Sequence, residues 1–283
     1  MDLRKAEEGL FRVLMIASTV AIAACTGLIL VTVFVKGCHA LSIEMITQTP
    51  KGGFYLGKEG GILNAIAGSL YLATGSTFLS FCLSLPVVLH MNVYSKKNSK
   101  FTSIVRFFLD IMSGIPSIVY GAFGFSMMLL FGLKASLLLG IISVAVIIFP
   151  LMCRAMDEVF KMIPDELGDA SYSLGATKFE TGLKVFVKQV MPGISTAVLI
   201  SFGRAIGDAA TVLFTAGFTD SLPGSLLRPV ATLPLAVFFQ LGTPVAEVKE
   251  RAYASALILT IIVLIISITA RYLCRKFTTH IIR

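Results

Sequence analysis

The chain has 283 residues, of which 56% are hydrophobic and 14% are Asp, Glu, Lys or Arg, with a mean hydropathy of +0.87 and a net charge of +8. Soluble chains carry roughly 25% charged residues, so this composition excludes a soluble enzyme, a disordered tail and a secreted disulfide scaffold. The positive excess matches Lys and Arg gathered at membrane ends and does not call for nucleic acid.

Residues 13–35, 60–95, 111–133, 135–153 and 252–270 contain no Asp, Glu, Lys or Arg. Each is long enough to cross a bilayer, which takes about 20 residues as a helix. An all-α integral membrane protein follows, with six transmembrane helices expected near 11–35, 62–92, 111–133, 135–156, 189–218 and 251–273. The first is too long for a signal-peptide core and lacks an A-x-A-like cleavage site, so it is expected to be retained. Sixteen Lys and Arg fall on the side of the termini and seven in the opposite loops, with Arg204 inside the fifth span. The positive-inside rule therefore puts both termini of this multi-pass cell-membrane protein in the cytoplasm.

Between the first two spans, Pro50 and Gly52, Gly53, Gly57, Gly60 and Gly61 predict irregular chain. Residues 52–58 spell G-x-x-x-x-G-K, but Glu59 stands where a phosphate-binding loop needs Ser or Thr and no strand is expected before it. Any use of ATP is thus expected in a partner. Arg106 and Asp110, four apart, are expected to pair on one helix. Gly114 and Pro116 mark a kink or break, part of a moving gate. The cysteines show neither C-x-x-C pairs nor His at metal-binding spacing, so neither a disulfide nor a metal site is expected.

After the fourth span, Pro164 suits a first helical position, Asp165 and Glu166 suit the positive helix end, and Gly175 is a stop. Thr177 and Glu180 form a T-x-x-E capping box that starts a second helix. Leu167, Ala170 and Leu174 share one face of the first helix, and Phe179, Leu183, Phe186 and Val190 share one face of the second. A membrane-surface loop and a docking element both fit this pattern. In the fifth span, Arg204 and Asp208 lie four apart, and charges at mid-span are too costly to face lipid. They form either a structural ion pair or an anion site in which the planar guanidinium meets oxyanion oxygens. Gly203 and Gly207 form G-x-x-x-G, expected to pack tightly against another helix near a subunit interface. Residues 219–250 hold four prolines around the apolar piece 233–239, too short to cross and read as an interfacial or re-entrant helix.

Asp169-Ala170-Ser171-x-x-x-Gly175, followed by Ala176, resembles the E-A-A-x-x-x-G loop of ABC-importer permeases, with Asp for Glu and Ser for the second Ala. Residues 60–66 (G-G-I-L-N-A-I), 114–121 (G-I-P-S-I-V-Y-G), 204–208 (R-A-I-G-D) and 231–234 (A-T-L-P) resemble the phosphate-importer permeases, the PstA type more than the PstC type. The resemblance implies a type I ABC-importer permease fold in a single transmembrane domain over 1–283, with a core at 60–275 and a cytoplasmic coupling loop at 157–188. It implies a second permease of PstC type as heterodimer partner, two ATP-binding subunits and an external phosphate-binding protein, all around a chain embedded in membrane lipid. ATP and Mg would be used by those partners, with no cofactor bound by this chain. Pro164, Asp169, Ala170, Ser171, Gly175 and Ala176 would form the ATPase-coupling element, and Arg204 and Asp208 would line the path of inorganic phosphate, moved inward by alternating access. A permease for another small oxyanion, a secondary transporter and an integral membrane enzyme acting on lipid-phosphate substrates are the alternatives.

Overall fold

The computed structural model describes residues 2–51, 59–95 and 99–278; the G-x-x-x-x-G-K stretch at 52–58 lies outside them. Helix α1 (Asp2–Ala40) has 39 residues, about 58 Å at 1.5 Å per residue, so its ends extend past a hydrocarbon layer of about 30 Å. Its apolar side chains stay open, as at Leu28 and Ile22, and its outer end packs on α13 (Ala246–Thr278). The approach requires Gly37, where a Cβ would come within 2.7 Å of Leu257 Cβ. The described residues on either side of 52–58 form short regular elements. Ser42 caps α2 (Ile43–Thr47), and β1 (Pro50–Lys51) pairs antiparallel with β2 (Glu59–Gly60).

Helix α3 (Leu63–Leu89) runs on through a π-helical segment, His90–Tyr94. The expected third span is instead an elbow: α4 (Lys100–Gly114) and α5 (Ser117–Leu130) meet at 95°. Pro116 lacks an N–H and pushes Ile115 out of helical backbone, to ψ 129°. Helix α6 (Leu137–Phe160), started by the Ser136 hydroxyl, is the fourth span and the centre of the bundle.

The segment after α6 forms α7 (Asp165–Ser173), α8 (Lys178–Glu180), a π-helical stretch Thr181–Phe186 and α9 (Val187–Gln189). It meets α10 (Met191–Ile206) at a bend of 74°. Pro192 in the first turn of α10 explains that break, since it can start a helix but not continue one. The expected fifth span at 189–218 is broken again at Gly207–Ala209, before α11 (Ala210–Thr215). Among the described residues, four helical segments are long and apolar enough to cross a membrane, or up to six when each bent pair is counted as one span.

The short apolar piece forms α12 (Leu233–Leu241), with Leu233, Leu235 and Ala236 buried and the Leu233 N–H donating to Ser69 Oγ at 2.8 Å. Its first turn is packed inside, against α3 and α13. Leu72, Val144, Ile148, Ile206 and Val212 join α3, α6, α10 and α11 in one core, and Val88, Met152, Met156 and Ile194 join α3, α6 and α10 in another at their opposite ends.

Candidate substrate path and coupling loop

Arg204 lies in the last turn of α10, and Asp208 lies beyond the helix end, in the break. The two therefore do not form the expected pair on a continuous helix. Asp208 is 2% exposed at its side chain, and its Oδ2 accepts the Thr211 N–H at 3.0 Å. A short acceptor three residues ahead of a free N–H helps start a helix, so Asp208, one residue before the cap position Ala209, caps the first turn of α11 from outside it. Its Oδ1 stands 3.7 Å from Arg204 Nη1, a loose ion pair, while the Arg204 side chain is 48% exposed. Thr211 Oγ1 donates to the Ser117 carbonyl at 3.2 Å, tying this break to the start of α5. A Cβ on Gly203 would meet nothing within 4 Å, and one on Gly207 only the Gly203 carbonyl at 3.6 Å. Among the described residues the space a side chain at either glycine would occupy is thus open apart from their own helix, and together with Arg204 they form an open surface carrying a guanidinium. Gly114 is likewise open, and Pro116 sits at the α4–α5 elbow.

In the segment after α6, Pro164 occupies the cap position of α7, one residue before the first helical position. Gly175 has φ +83°, the left-handed conformation that glycine adopts without cost. There its N–H donates to the Tyr172 carbonyl at 2.9 Å and the Ala176 N–H to the Ser171 carbonyl at 3.2 Å. The capping box is present in both directions: Glu180 N–H to Thr177 Oγ1 at 3.3 Å, and Thr177 N–H to Glu180 Oε2 at 3.1 Å. That backbone N–H, then Lys184 Nζ at 3.2 Å, hold the Glu180 carboxyl below the usual carboxylate range.

The buried face of α7 differs from the apolar one expected. Gly168 and Ser171 turn inward, Gly168 toward Phe186, and Ser171 Oγ shares a buried hydrogen bond of 2.8 Å with Thr181 Oγ1. Leu174 is 90% and Phe179 62% exposed, and Asp169 and Ala170 also face outward. Small residues win the inner face because the two helices cross closely there, which leaves the large apolar side chains outside.

A third cluster was not foreseen. Asp157 in α6 is fully buried and accepts Arg106 Nε and Nη2 at 2.9 Å each, Asn92 Nδ2 at 2.9 Å and Lys161 Nζ at 2.9 Å. Asp110 meets Arg154 Nε at 2.9 Å. The expected Arg106–Asp110 pair is therefore replaced by two crossed bridges from α4 to α6, because the close packing of these helices sets each charge nearer a partner across the interface than along its own helix. Beside the cluster a cavity of about 930 Å³ opens between Asn92, Arg106 and Lys161 on one side and Pro164, Asp169 and Tyr172 on the other.

Residues 85–279 match the family described as binding-protein-dependent transport system inner membrane component. The chain is 31% identical over 248 residues to the phosphate transport system permease protein PstA of Yersinia pestis, covering 88% of this chain and 83% of that protein. It is 31% identical over 243 residues to PstA of Pasteurella multocida, covering 86% and 85%, and 28% identical over 274 residues to the probable ABC transporter permease protein YqgI of Bacillus subtilis, covering 89% and 90%. Among solved structures, the MetNI methionine ABC transporter superposes with a TM-score of 0.62 at 22% identity, over 76% of this chain and 95% of that one, a likeness of fold.

Proposed function

The chain belongs to the family of binding-protein-dependent transport system inner membrane components, and from that premise we propose that it carries inorganic phosphate inward by alternating access. It is a multi-pass transport subunit of an ABC importer, not an enzyme, and it works with ATPase and substrate-binding components. Phosphate is proposed because the PstA permeases of two organisms match the chain over most of its length.

The observation that carries the anion path is the half-exposed Arg204 beside a buried Asp208 already engaged in capping α11. A guanidinium held loosely at 3.7 Å keeps donors for a tetrahedral oxyanion, and its planar fork suits two oxygens at once. The open Gly203–Gly207 face next to it supports a second permease, of PstC type, closing the path as a heterodimer partner. Leu174 and Phe179, exposed beside Asp169, Ala170 and the Gly175 turn, support docking of two ATP-binding subunits on this loop; ATP and Mg would act there, with no cofactor on this chain. An external phosphate-binding protein would deliver the anion from the opposite side. The basic-residue asymmetry supports cytoplasmic termini in the cell membrane. The whole chain then acts as one permease domain, with α1 along its flank.

The test is uptake by the assembled complex in proteoliposomes, with phosphate, sulfate and molybdate offered separately. ATP-dependent accumulation of phosphate alone is expected. Accumulation of another oxyanion without phosphate would move the chain to a different anion and overturn this assignment.

A further inference from the structure

We propose that the buried Asp157 cluster and the Thr211–Ser117 hydrogen bond are parts of one rigid link from the cytoplasmic loop to Arg204, with Asp157 and Thr211 as positioning residues for transport. The inference rests on the importer reading and extends it to residues outside both the anion-facing pair and the loop.

One end of the loop reaches Arg204 along the chain, through the bend before α10, whereas a movement of its other end, at α7, reaches Arg204 also through packed contacts. The first joint has no slack. Between the end of α6 and Pro164, the N–H groups of Lys161, Met162 and Ile163 all donate back into α6, to Asp157, Val159 and Phe160 at 3.0 to 3.2 Å. A displaced α7 therefore drags the inner end of α6. Asp157 sits one turn from that end and grips α4 through both Arg106 bonds, while Arg154 and Asp110 make a second strut between the same helices.

Helix α4 leads to the elbow, which is braced: Tyr120 Oη on α5 donates back to the Met112 carbonyl on α4 at 2.9 Å. Helix α5 then meets the break beside the anion-facing pair. The Ser117 carbonyl holds Thr211 Oγ1 at 3.2 Å, and a Cβ at Gly121 would come within 2.8 Å of the Ala210 carbonyl, so α5 and α11 are in close backbone contact. Thr211, fully buried, gives its N–H to Asp208, the residue that faces Arg204.

Stability alone is a weak reason for this construction. A buried acid among cations contributes no more than apolar residues of similar volume, and its attested use is to fix one arrangement of the elements it joins. Contiguity is not coupling, so the link has to be tested as an equilibrium that both ends bias.

The test uses the full complex in proteoliposomes, comparing Asp157→Asn, Thr211→Val, Thr211→Ser and the Asp157→Asn, Thr211→Val double variant. Abundance, ATP hydrolysis and inorganic phosphate moved per ATP are read for each. Asn keeps the shape and an acceptor for Arg106, so the complex should assemble and hydrolyse ATP while phosphate per ATP falls about tenfold, the size of an ordinary coupling free energy. Thr211→Val should do the same, Thr211→Ser should restore transport by returning the hydroxyl, and the double variant should be no worse than the poorer single one. Unchanged phosphate per ATP in the single variants, or losses that multiply in the double, would overturn the link. If Asp157→Asn fails to assemble, the Val and Ser variants at Thr211 decide alone: loss with Val and recovery with Ser support the link, and equal transport by both removes it. A wild-type complex that accumulates no phosphate would instead remove the importer reading itself.

Discussion

Two buried carboxylates, Asp157 and Asp208, each face an arginine, and they are held in opposite ways. Asp157 is enclosed at 2.9 Å by donors from three segments, among them an arginine that gives it both arms of its fork. Asp208 gives one oxygen to a backbone N–H and leaves the other 3.7 Å from Arg204, whose side chain is half open. The first arginine is committed to the fold; the second keeps hydrogen-bonding capacity for something outside the chain. Burial of the acid does not distinguish a structural pair from a site, whereas the state of the cation does.

Substitution should separate the two sites most sharply in uptake. Arg204→Ala is expected to lower phosphate uptake by on the order of 100-fold, the worth of a charge-assisted bidentate contact, with normal membrane abundance. Arg204→Lys should fall between, keeping charge without the fork. The Arg204→Ala, Asp208→Ala pair should still assemble and still not transport. Recovered uptake in that double variant would make the pair structural and end the distinction from Asp157.

Asp157→Ala should act on stability first. Removing one partner of a buried ion pair costs about 3 kcal/mol or more, and the lower end is expected because Arg106, Arg154 and Lys161 are each about one-third exposed and can turn to water. A thermal melt of the purified chain measures it. A loss no larger than that of Asp208→Ala would show that the two acids are held alike after all. The latter should cost about 1 kcal/mol, the worth of a helix cap.

The features legible in the sequence were local ones. Charge-free runs located the four long helices α1, α3, α6 and α13, Thr177 and Glu180 announced their capping box, Gly175 its left-handed turn, and Pro116 its break. What escaped depended on distance across the fold. The i, i+4 spacing of Arg106 and Asp110 suggested a local pair, yet helix packing sets Asp157 and Arg154 at 2.9 Å from them, and nothing along one helix encodes that crossing. The break after Arg204 was hidden because Gly207 and Asp208 sit in an otherwise apolar run, where the Asp reads as a charge before it reads as a cap. The face of α7 was misjudged for a related reason: side-chain size pointed Leu174 inward, but close approach to Thr181 selects Ser171.

Gly175→Leu tests the loop with an intermediate effect. A non-glycine residue at φ +83° costs about 1–2 kcal/mol locally, and no atom would clash with its Cβ. Insertion should therefore be normal, while the angle between α7 and α8 shifts. Copurification of the ATPase subunits should fall with it, and undiminished copurification together with undiminished uptake would take the loop out of coupling.

The smallest expected effect concerns a third carboxylate, Glu180, whose side chain is 43% exposed. Its pKa lies below the ordinary Glu value of about 4.3, first through the Thr177 backbone N–H and next through Lys184. The folded value is the depressed one, so the cap contributes fully above the unfolded value and fades as pH falls through the folded one. The Thr177 amide should accordingly stay protected from hydrogen exchange across neutral pH and lose protection only on the acid side of the usual Glu titration. Lys184→Gln removes the second cause but leaves the backbone bond, so the loss should move part of the way back toward the ordinary value. A transition already complete near neutral pH, or one that Lys184→Gln does not shift, would contradict this account. The surface acid then completes the comparison: its bonds of 3.0 to 3.2 Å, longer than those of 2.9 Å that hold Asp157 within the fold, serve only to order one turn, because water competes for every partner.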